Sequence, residues 1–185
     1  MIAQKAQHMT GKPTKIRVLQ RKLYLAAKEA PKRTFGILYD KTYRMDVLHF
    51  AWEEVRKNKG SAGVDGITIQ ELEENGIWDL LLEIQKELKE ESYKPLPVRR
   101  VHIPKPGKKD DKRPLGIPSI KERIIQTAVK IVIEPLFEAS FLDCSFGFRP
   151  RRSPQQAHAE VQRTIIEGYK EVVDVDLKSY FDLSY

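Results

Sequence analysis

Apolar residues recur every three or four positions along much of the first half of the chain. This spacing predicts amphipathic helices over residues 14–30, 46–57 and 68–90, because positions three and four apart share one face of an α-helix. Pro31 should end the first of these helices, and Gly60 should end the second. The apolar faces of these helices are therefore the predicted core of this half.

The middle of the chain changes to the alternation that is typical of strands. Residues 98–104 and 113–118 predict two short strands, and the polar residues 106–111 between them predict a turn. These segments together predict an antiparallel hairpin. Near the end of the chain, the valine-rich residues 172–177 predict one further buried strand with two aspartates on the same face.

Two more helices are predicted between the hairpin and the last strand. A capping box at Ser119 opens a helix that Pro135 should end. Ser153, followed by Pro154, opens another helix that runs to Gly168. Helices and an antiparallel hairpin in this order predict an α+β fold.

Composition limits the classes of protein to which the chain could belong. Its 185 residues are enough for about one domain, and with 41% hydrophobic residues the chain can bury a sizeable core. It has no apolar run long enough for a membrane span and no signal-peptide segment, which predicts a cytoplasmic protein without a membrane partner. Cys144 is the only cysteine and the four histidines lie far apart, so neither a disulfide framework nor a zinc site is expected.

The net charge of +7 is divided into blocks along the chain. Residues 1–64 carry 14 Lys and Arg against 5 Asp and Glu, and residues 95–170 carry 15 against 8, whereas residues 65–94 carry 3 against 9. Basic charge in blocks favours a nucleic acid as the partner. On charge alone, a ribosomal-type role or a membrane-surface role stays open.

Residues 58–66, Asn-Lys-Gly-Ser-Ala-Gly-Val-Asp-Gly, place three glycines in one loop. Gly60, Gly63 and Gly66 permit a positive φ or the close approach of another backbone, which suits a loop that cradles phosphate. The spacing matches neither the Walker loop nor the dinucleotide-binding fingerprint. A tight connector between two helices is therefore an equal alternative.

Two further segments combine cations with stiff or aromatic residues. From Arg99 to Lys130 the chain has ten Lys and Arg against three acidic residues, so the predicted hairpin should grip phosphate. Phe146 and Phe148 are followed by arginines up to Arg152, a pattern suited to stacking on bases and pairing with phosphates. Either phenylalanine could instead belong to the core.

Asp174 and Asp176 interrupt the valine-rich residues 172–177. A carboxylate in an apolar strand is costly to bury unless a partner or a metal neutralises it. Asp176 is therefore a candidate ligand for Mg²⁺, which prefers carboxylate oxygens and shares them with substrate phosphates. In the alternative, both aspartates cap the end of the strand and face solvent.

Six motifs follow one another in a fixed order along the chain. They are Asn-Lys-Gly-Ser-Ala-Gly-Val-Asp-Gly at 58–66, Ile-Pro-Lys-Pro-Gly-Lys-Lys at 103–109, Arg-Pro-Leu-Gly-Ile-Pro at 113–118, Arg-Ile-Ile-Gln at 123–126, Ser-Phe-Gly-Phe-Arg-Pro at 145–150 and Val-Asp-Leu-Lys-Ser-Tyr-Phe-Asp at 175–182. In this order they resemble the reverse transcriptases (maturases) of group II introns. The resemblance covers nearly the whole chain from about Thr34.

The resemblance implies a right-hand polymerase that extends a primer with dNTPs on an RNA template and acts as a splicing maturase on intron RNA. It implies a basic N-terminal extension at 1–33, fingers at 34–171 and the start of a palm at 172–185. The α+β fold would then be the fingers subdomain, helices plus the antiparallel hairpin, with the first palm strand only.

The resemblance also implies roles for single residues. Asp176 matches the first catalytic aspartate, which binds both Mg²⁺ ions with help from the backbone carbonyl of Leu177. The residues that match the dNTP site are Lys105, Lys112, Arg113, Ser179, Tyr180 and Phe181. The residues that match the nucleic-acid surface are Asn58, Lys59, Gly60, Gly63, Gly116, Ile117, Pro118, Arg123, Gln126, Phe146, Gly147, Phe148 and Arg149.

The chain departs from the family's pattern after Asp182. Leu183-Ser184-Tyr185 does not match, and the sequence contains no Tyr-X-Asp-Asp turn, which carries the family's other catalytic carboxylates. We therefore expect a truncated reading frame or an isolated fragment that is inactive as a polymerase by itself. The alternatives are a non-catalytic RNA-binding module and a degenerate relic, and a homo-oligomer stays open.

Overall fold

Residues 14–105 and 107–177 are described by the computed structural model, and for residues 105 and 108–111 only the backbone is described. These residues form seven helices and one two-stranded antiparallel sheet, which confirms the predicted α+β class. The chain divides into two compact units after Ser140. The elements are α1 (Lys15–Glu29), α2 (Tyr39–Thr42), α3 (Met45–Lys57), α4 (Ile69–Asn75), α5 (Trp78–Lys89), β1 (Arg99–Lys105), β2 (Lys108–Ile117), α6 (Ile120–Ser140) and α7 (Pro154–Ile166).

The core of the first unit is built from the apolar faces of α1, α3, α5 and α6. α6 packs against both α1 and α3 and contributes more buried residues than any other helix. Each large aliphatic side chain in this core stabilises the fold by roughly 1.5–3 kcal/mol. The buried side chains are Ile16, Leu23, Val47, Leu48, Ala51, Trp52, Val55, Leu81, Ile84, Leu88, Ile120, Ile124, Ile125, Ala128, Ile131 and Val132.

The first two predicted helices have the apolar faces that the sequence indicated. In α1, Ile16 and Leu23 are buried, and α1 ends before Pro31. In α3, Leu48 and Trp52 are completely or almost completely buried. Within the described part of the chain, no helix combines the length and the apolar character needed to cross a membrane.

The single helix predicted over residues 68–90 is wrong, because the chain forms two helices, α4 and α5, separated at Gly76. Gly76 has a φ of +90°, a conformation that no helix contains. The spacing places Trp78, Leu81, Leu82, Gln85 and Leu88 on one face, whereas α5 buries Leu81, Ile84 and Leu88. Trp78 and Leu82 are each 54% exposed.

Pro135 does not end α6, as expected from the sequence, but lies inside the helix. Proline has no N–H, so the carbonyl of Ile131, four residues earlier, loses its helical donor. Gln20 of α1 replaces that donor: its side-chain Nε2 lies 3.3 Å from the Ile131 oxygen. A side chain from another helix therefore satisfies the carbonyl that Pro135 leaves unpaired.

We expect Gln20→Ala to lower the free energy of unfolding by about 1 kcal/mol, because a partly buried carbonyl would lose its donor. In a Pro135→Ala background the loss should be smaller, since the new Ala N–H can pair with Ile131. Urea denaturation of the unsubstituted chain, the two single variants and the double variant measures the coupling between positions 20 and 135. Gln126→Ala, exposed on α6, is the control, and equal losses in both backgrounds would contradict the explanation.

The hairpin differs from the prediction at its turn. β2 begins at Lys108, within the segment that was expected to be the turn. Gly107, with a φ of +76°, allows a much tighter reversal, and β2 therefore continues closer to the tip. β2 is longer than β1, and the pairing of the two strands is irregular at one place. Pro104 pairs with Lys112, whereas the next residue, Lys105, pairs with Lys108.

In the second unit, Ser153 opens α7 as predicted, and it forms a capping box with Gln156. The strand predicted for residues 172–177, which was the expected first palm strand, is wrong: these residues form neither strand nor helix. Val173 is 87% exposed and Val175 is 80% exposed. A strand needs a neighbour for its backbone hydrogen bonds, and no described segment pairs with this one.

Candidate nucleic-acid interface

Two arginines tie the glycine loop, residues 58–66, to other segments of the first unit. Arg99, at the base of the hairpin, donates from Nε to the Ala62 carbonyl at 3.1 Å. Arg123, in the first turn of α6, donates from Nη2 to the Ser61 carbonyl. The loop, the base of the hairpin and the start of α6 therefore meet at one place.

The glycines of this loop are needed for two different reasons. At Gly63 a Cβ atom would lie 2.5 Å from the Cα of Ser119, and at Gly60 it would lie 2.5 Å from Nη1 of Arg123. Gly66 has open space around it but a φ of +74°. The predicted close approach is thus confirmed at Gly60 and Gly63, and the predicted positive φ is confirmed at Gly66.

The first two residues of the loop, Asn58 and Lys59, are both exposed. Lys59, and not Gly60 as expected, adopts the left-handed conformation after α3, with a φ of +46°. Lys59 borders an open cleft of about 470 Å³, which is lined by Arg56, Lys57, Lys59, Gly60, Ile69, Gln70 and Glu73.

The register of the hairpin places two of its three predicted dNTP cations, Lys112 and Arg113, on opposite faces. Arg113 pairs with Ile103 and shares a face with Leu115, whereas Lys112, as its sequence neighbour, lies on the other face with His102. Both cations are exposed. In this hairpin they would therefore reach a phosphate group from different sides.

The end of β2 leads directly into the loop contact. A Cβ atom at Gly116 would lie 2.9 Å from Cγ2 of Val98, so glycine allows these neighbouring segments to approach closely. Ile117 and Pro118 are half-buried. These three residues, each predicted to contact nucleic acid, connect the exposed hairpin to the buried start of α6.

Glu122 has a role that the sequence did not reveal. Its side chain was predicted to close a capping box, but only the Ser119 half forms, with Oγ accepting from the Glu122 N–H at 3.3 Å. Glu122 Oε1 instead accepts from the Leu96 N–H at 3.3 Å, and its buried Oε2 has no hydrogen-bond partner in the described part of the chain. Burial, together with the Glu122 charge, raises the pKa of Tyr93, whose hydroxyl also contacts Oε1. Glu122 therefore anchors the segment that leads into β1.

In the second unit, the arginines near Phe146 make internal contacts. Arg149 lies over the Phe141 ring at 5.1 Å and donates to the carbonyls of neighbouring loop residues. Arg152 lies over the Phe146 ring at 5.3 Å and forms an ion pair with Asp143 at 3.0 Å. These contacts hold the loop before α7 in its shape.

Phe148 projects from this loop into solvent. Its side chain is fully exposed, its φ is +54°, and Gly147 beside it has no neighbour within 4 Å of an added Cβ. The core alternative is therefore wrong for Phe148, and Phe146 is only half-buried. An exposed aromatic ring on a strained backbone is suited to stacking.

Asp174, Asp176 and Leu177 lie in the exposed end of the described chain. The described residues contain no group of three or more His, Cys, Asp or Glu that could hold a metal ion. The predicted dNTP residues Ser179, Tyr180 and Phe181 lie outside the described residues, and so does the side chain of Lys105. Gln126, by contrast, is exposed on α6, one turn beyond Arg123.

The fold and this site define an α+β protein with exposed cations around a glycine loop that Arg99 and Arg123 hold by hydrogen bonds. No family model matches the chain. It is 36% identical over 148 residues to the group II intron-encoded protein LtrA of Lactococcus lactis subsp. cremoris, and 38% identical over 130 residues to the protein YkfC of Escherichia coli. It is also 30% identical over 138 residues to the putative COX1/OXI3 intron 1 protein of Saccharomyces cerevisiae.

These matches cover most of the chain but a minor part of each relative. They take in 80%, 68% and 75% of this chain, respectively, and 24%, 33% and 16% of the relatives. The chain thus spans about a quarter of the length of LtrA. Over most of its length it is a homologue of the group II intron-encoded proteins, which confirms the resemblance found in the motifs.

Proposed function

We propose that the chain provides the fingers of an RNA-directed DNA polymerase (nucleotidyltransferase) of a group II intron and binds intron RNA in a maturase role. The observation that carries this proposal is the meeting of the glycine loop, the hairpin base and the start of α6. Three motifs that are distant in sequence come together there. They do so in a chain homologous to LtrA over 148 residues.

The RNA-binding part of the proposal rests on exposed cations and one exposed ring. Lys59, Lys112 and Arg113 are exposed around the loop and hairpin, where each can neutralise a phosphate and release its counterions. In the second unit, the exposed ring of Phe148 can stack on a base. Phosphate contacts would supply affinity, and stacking would favour single-stranded RNA.

The polymerase part of the proposal rests on the resemblance and on homology. Bound Mg²⁺ ions would activate the primer 3′-hydroxyl and neutralise the triphosphate. Asp176 is exposed and could ligate an ion, but the described residues gather no metal-binding group and do not by themselves fit two ions. The proposed metal ligands are Asp176 and the Leu177 carbonyl, and the proposed dNTP residues are Lys105, Lys112, Arg113, Ser179, Tyr180 and Phe181.

A second candidate function is that of a non-catalytic RNA-binding module. It is favoured by the position of Asp176 in a segment that pairs with no strand among the described residues. RNA binding through exposed cations needs neither a metal ion nor a second carboxylate. The two candidates share the RNA interface and differ in whether DNA synthesis can occur.

We expect the affinity of the chain for intron RNA to fall steeply between about 50 and 200 mM salt, because phosphate contacts release counterions. Lys59→Gln and Arg113→Gln should each lower the slope of log K against log salt by about 0.7–0.9. Lys57→Gln is the matched control, because the Lys57 ammonium already pairs with Glu54 at 2.7 Å. Filter binding across a salt series measures these slopes, and a flat response of the unsubstituted chain would refute phosphate-dominated binding.

A further inference from the structure

The guanidinium of Arg123 is directed at protein backbone. Its Nε donates to the Pro118 carbonyl at 3.1 Å, and its Nη2 donates to the Ser61 carbonyl. Its Nη1 lies 2.5 Å from the position that a Cβ of residue 60 would take, so glycine at that position makes room for the guanidinium. All three nitrogens of Arg123 thus face the loop and the entrance of α6.

Arg99 makes a similar contact with the next residue of the loop, and Arg99 and Arg123 together form a clamp on it. It holds the Ala62 carbonyl at 3.1 Å, while Arg123 holds the Ser61 carbonyl. Arg99 pairs across the hairpin with Ile117, which immediately precedes Pro118. Two consecutive carbonyls of the loop are therefore bound by arginines, one from the base of the hairpin and one from the first turn of α6.

The clamp fixes the orientation of the peptide between Ser61 and Ala62. A trans peptide directs its N–H away from its C=O, and the described residues contain no cis peptide bond. With the Ser61 carbonyl turned to Arg123, the Ala62 N–H points away from the guanidinium. This N–H donates to no acceptor within residues 14–105 and 107–177. Phosphate accepts hydrogen bonds from such amides and is repelled by carbonyl oxygens.

We propose that Arg123 is a positioning residue for RNA binding: it holds the glycine loop with its carbonyls inward and its Ala62 amide toward an RNA phosphate. Arg123 then contributes through the shape of the loop, not through its own charge. The inference rests on the proposed RNA-binding function. It differs from the role implied by the resemblance, in which Arg123 itself belongs to the nucleic-acid surface.

Replacement of Arg123 by lysine separates shape from charge. Lysine keeps the charge but lacks the planar fork that reaches two carbonyls at once. With a fluorescein-labelled oligouridine of about 20 nucleotides as the probe, we expect Arg123→Lys and Arg123→Gln each to lose about tenfold in affinity by fluorescence anisotropy. The slope of log K against log salt should stay that of the unsubstituted chain in both variants. Lys130→Gln, on the exposed side of α6, controls for the loss of one cation.

The opposite pattern would overturn the inference. If Arg123 contacted phosphate itself, Arg123→Lys would retain most of the affinity, and Arg123→Gln would lower the salt slope by about one. A general loss of folding is excluded by requiring that the melting temperature of each variant stays within a few degrees. A structural role without consequence for RNA would leave the affinity unchanged and would equally refute the positioning role.

Limited proteolysis with trypsin tests the clamp without RNA. Arg123→Gln should speed cleavage after the exposed Lys59 by at least about tenfold, because the loop that follows Lys59 is no longer held. Gly60→Ala should weaken RNA binding less in an Arg123→Ala background than in the unsubstituted chain, because the added Cβ then meets no guanidinium. An unchanged rate of cleavage after Lys59 would refute the clamp. Faster cleavage in a chain whose RNA affinity ignores salt would instead refute the proposed function.

Discussion

Gly63→Ala is expected to lower the free energy of unfolding by about 2–3 kcal/mol, because the added methyl group has no space. It would lie 2.5 Å from the Cα and 2.6 Å from the N of Ser119, and both atoms are backbone. Ser119 is completely buried, and its hydroxyl caps α6. Neither side of the contact can yield without moving the start of the central helix.

Two other glycines provide matched controls for this substitution. Gly36→Ala adds a methyl group with nothing within 4 Å, and should change stability by at most about 0.5 kcal/mol. Gly60→Ala meets the flexible end of Arg123, and should have an intermediate effect. Differential scanning calorimetry should show a melting temperature for Gly63→Ala lower by roughly 4–12 °C. Equal melting temperatures for the Gly63 and Gly36 variants would show that the loop does not press against α6.

The contrast between these glycines shows what the sequence could predict about the loop. Three glycines in nine residues indicated close packing or positive φ, and both are present. The sequence could not assign each glycine its reason, because that depends on Ser119 and Arg123, which lie more than 50 positions away along the chain. The basic pattern likewise identified Arg99 and Arg123 as cations but not the carbonyls to which they bind.

The same limit explains the errors in the fold. Periodicity predicted α1 and α3 well, because each has one apolar face directed at one core. It failed at Pro135, where Gln20 from another helix compensates for the missing donor. It failed again at residues 172–177, whose valines indicate a strand only if a neighbouring strand exists. Local pattern decides what a segment can form, and distant partners decide what it does form.

For the site, the sequence predicted the segments better than the individual atoms. The loop, the hairpin end and the start of α6 were each named separately, and the structure brings them together. The sequence also identifies the aromatic segment at residues 146–152, but it allows both a core and a surface position for the two phenylalanines. Only the structure shows that Phe148 is exposed, whereas Arg149 and Arg152 lie over the rings of Phe141 and Phe146.

The 185-residue chain, supplied with a primed RNA template, dNTPs and Mg²⁺, is expected to extend no primer above background. Two-metal phosphoryl transfer needs several carboxylates that hold ions about 3.5–4 Å apart. Asp174 and Asp176 are exposed, and the described residues contain no metal-binding group of three or more. Gel analysis of labelled primers measures this, and extension by the chain alone would show that the sequence contains a complete active site.

Asp176 can be tested directly in a chimera that continues this chain with the downstream part of a group II intron-encoded relative. Asp176→Ala in an active chimera should slow DNA synthesis by at least about a thousandfold, since loss of a metal ligand forfeits several kcal/mol of transition-state stabilisation and 1.36 kcal/mol is tenfold. RNA affinity should stay within a few-fold, because the loop and hairpin are unchanged. Asp174→Ala, two residues away in the same exposed segment, is the matched control and should keep most of the activity. If both substitutions slow synthesis equally, or neither does, Asp176 is not the metal ligand that the resemblance implies.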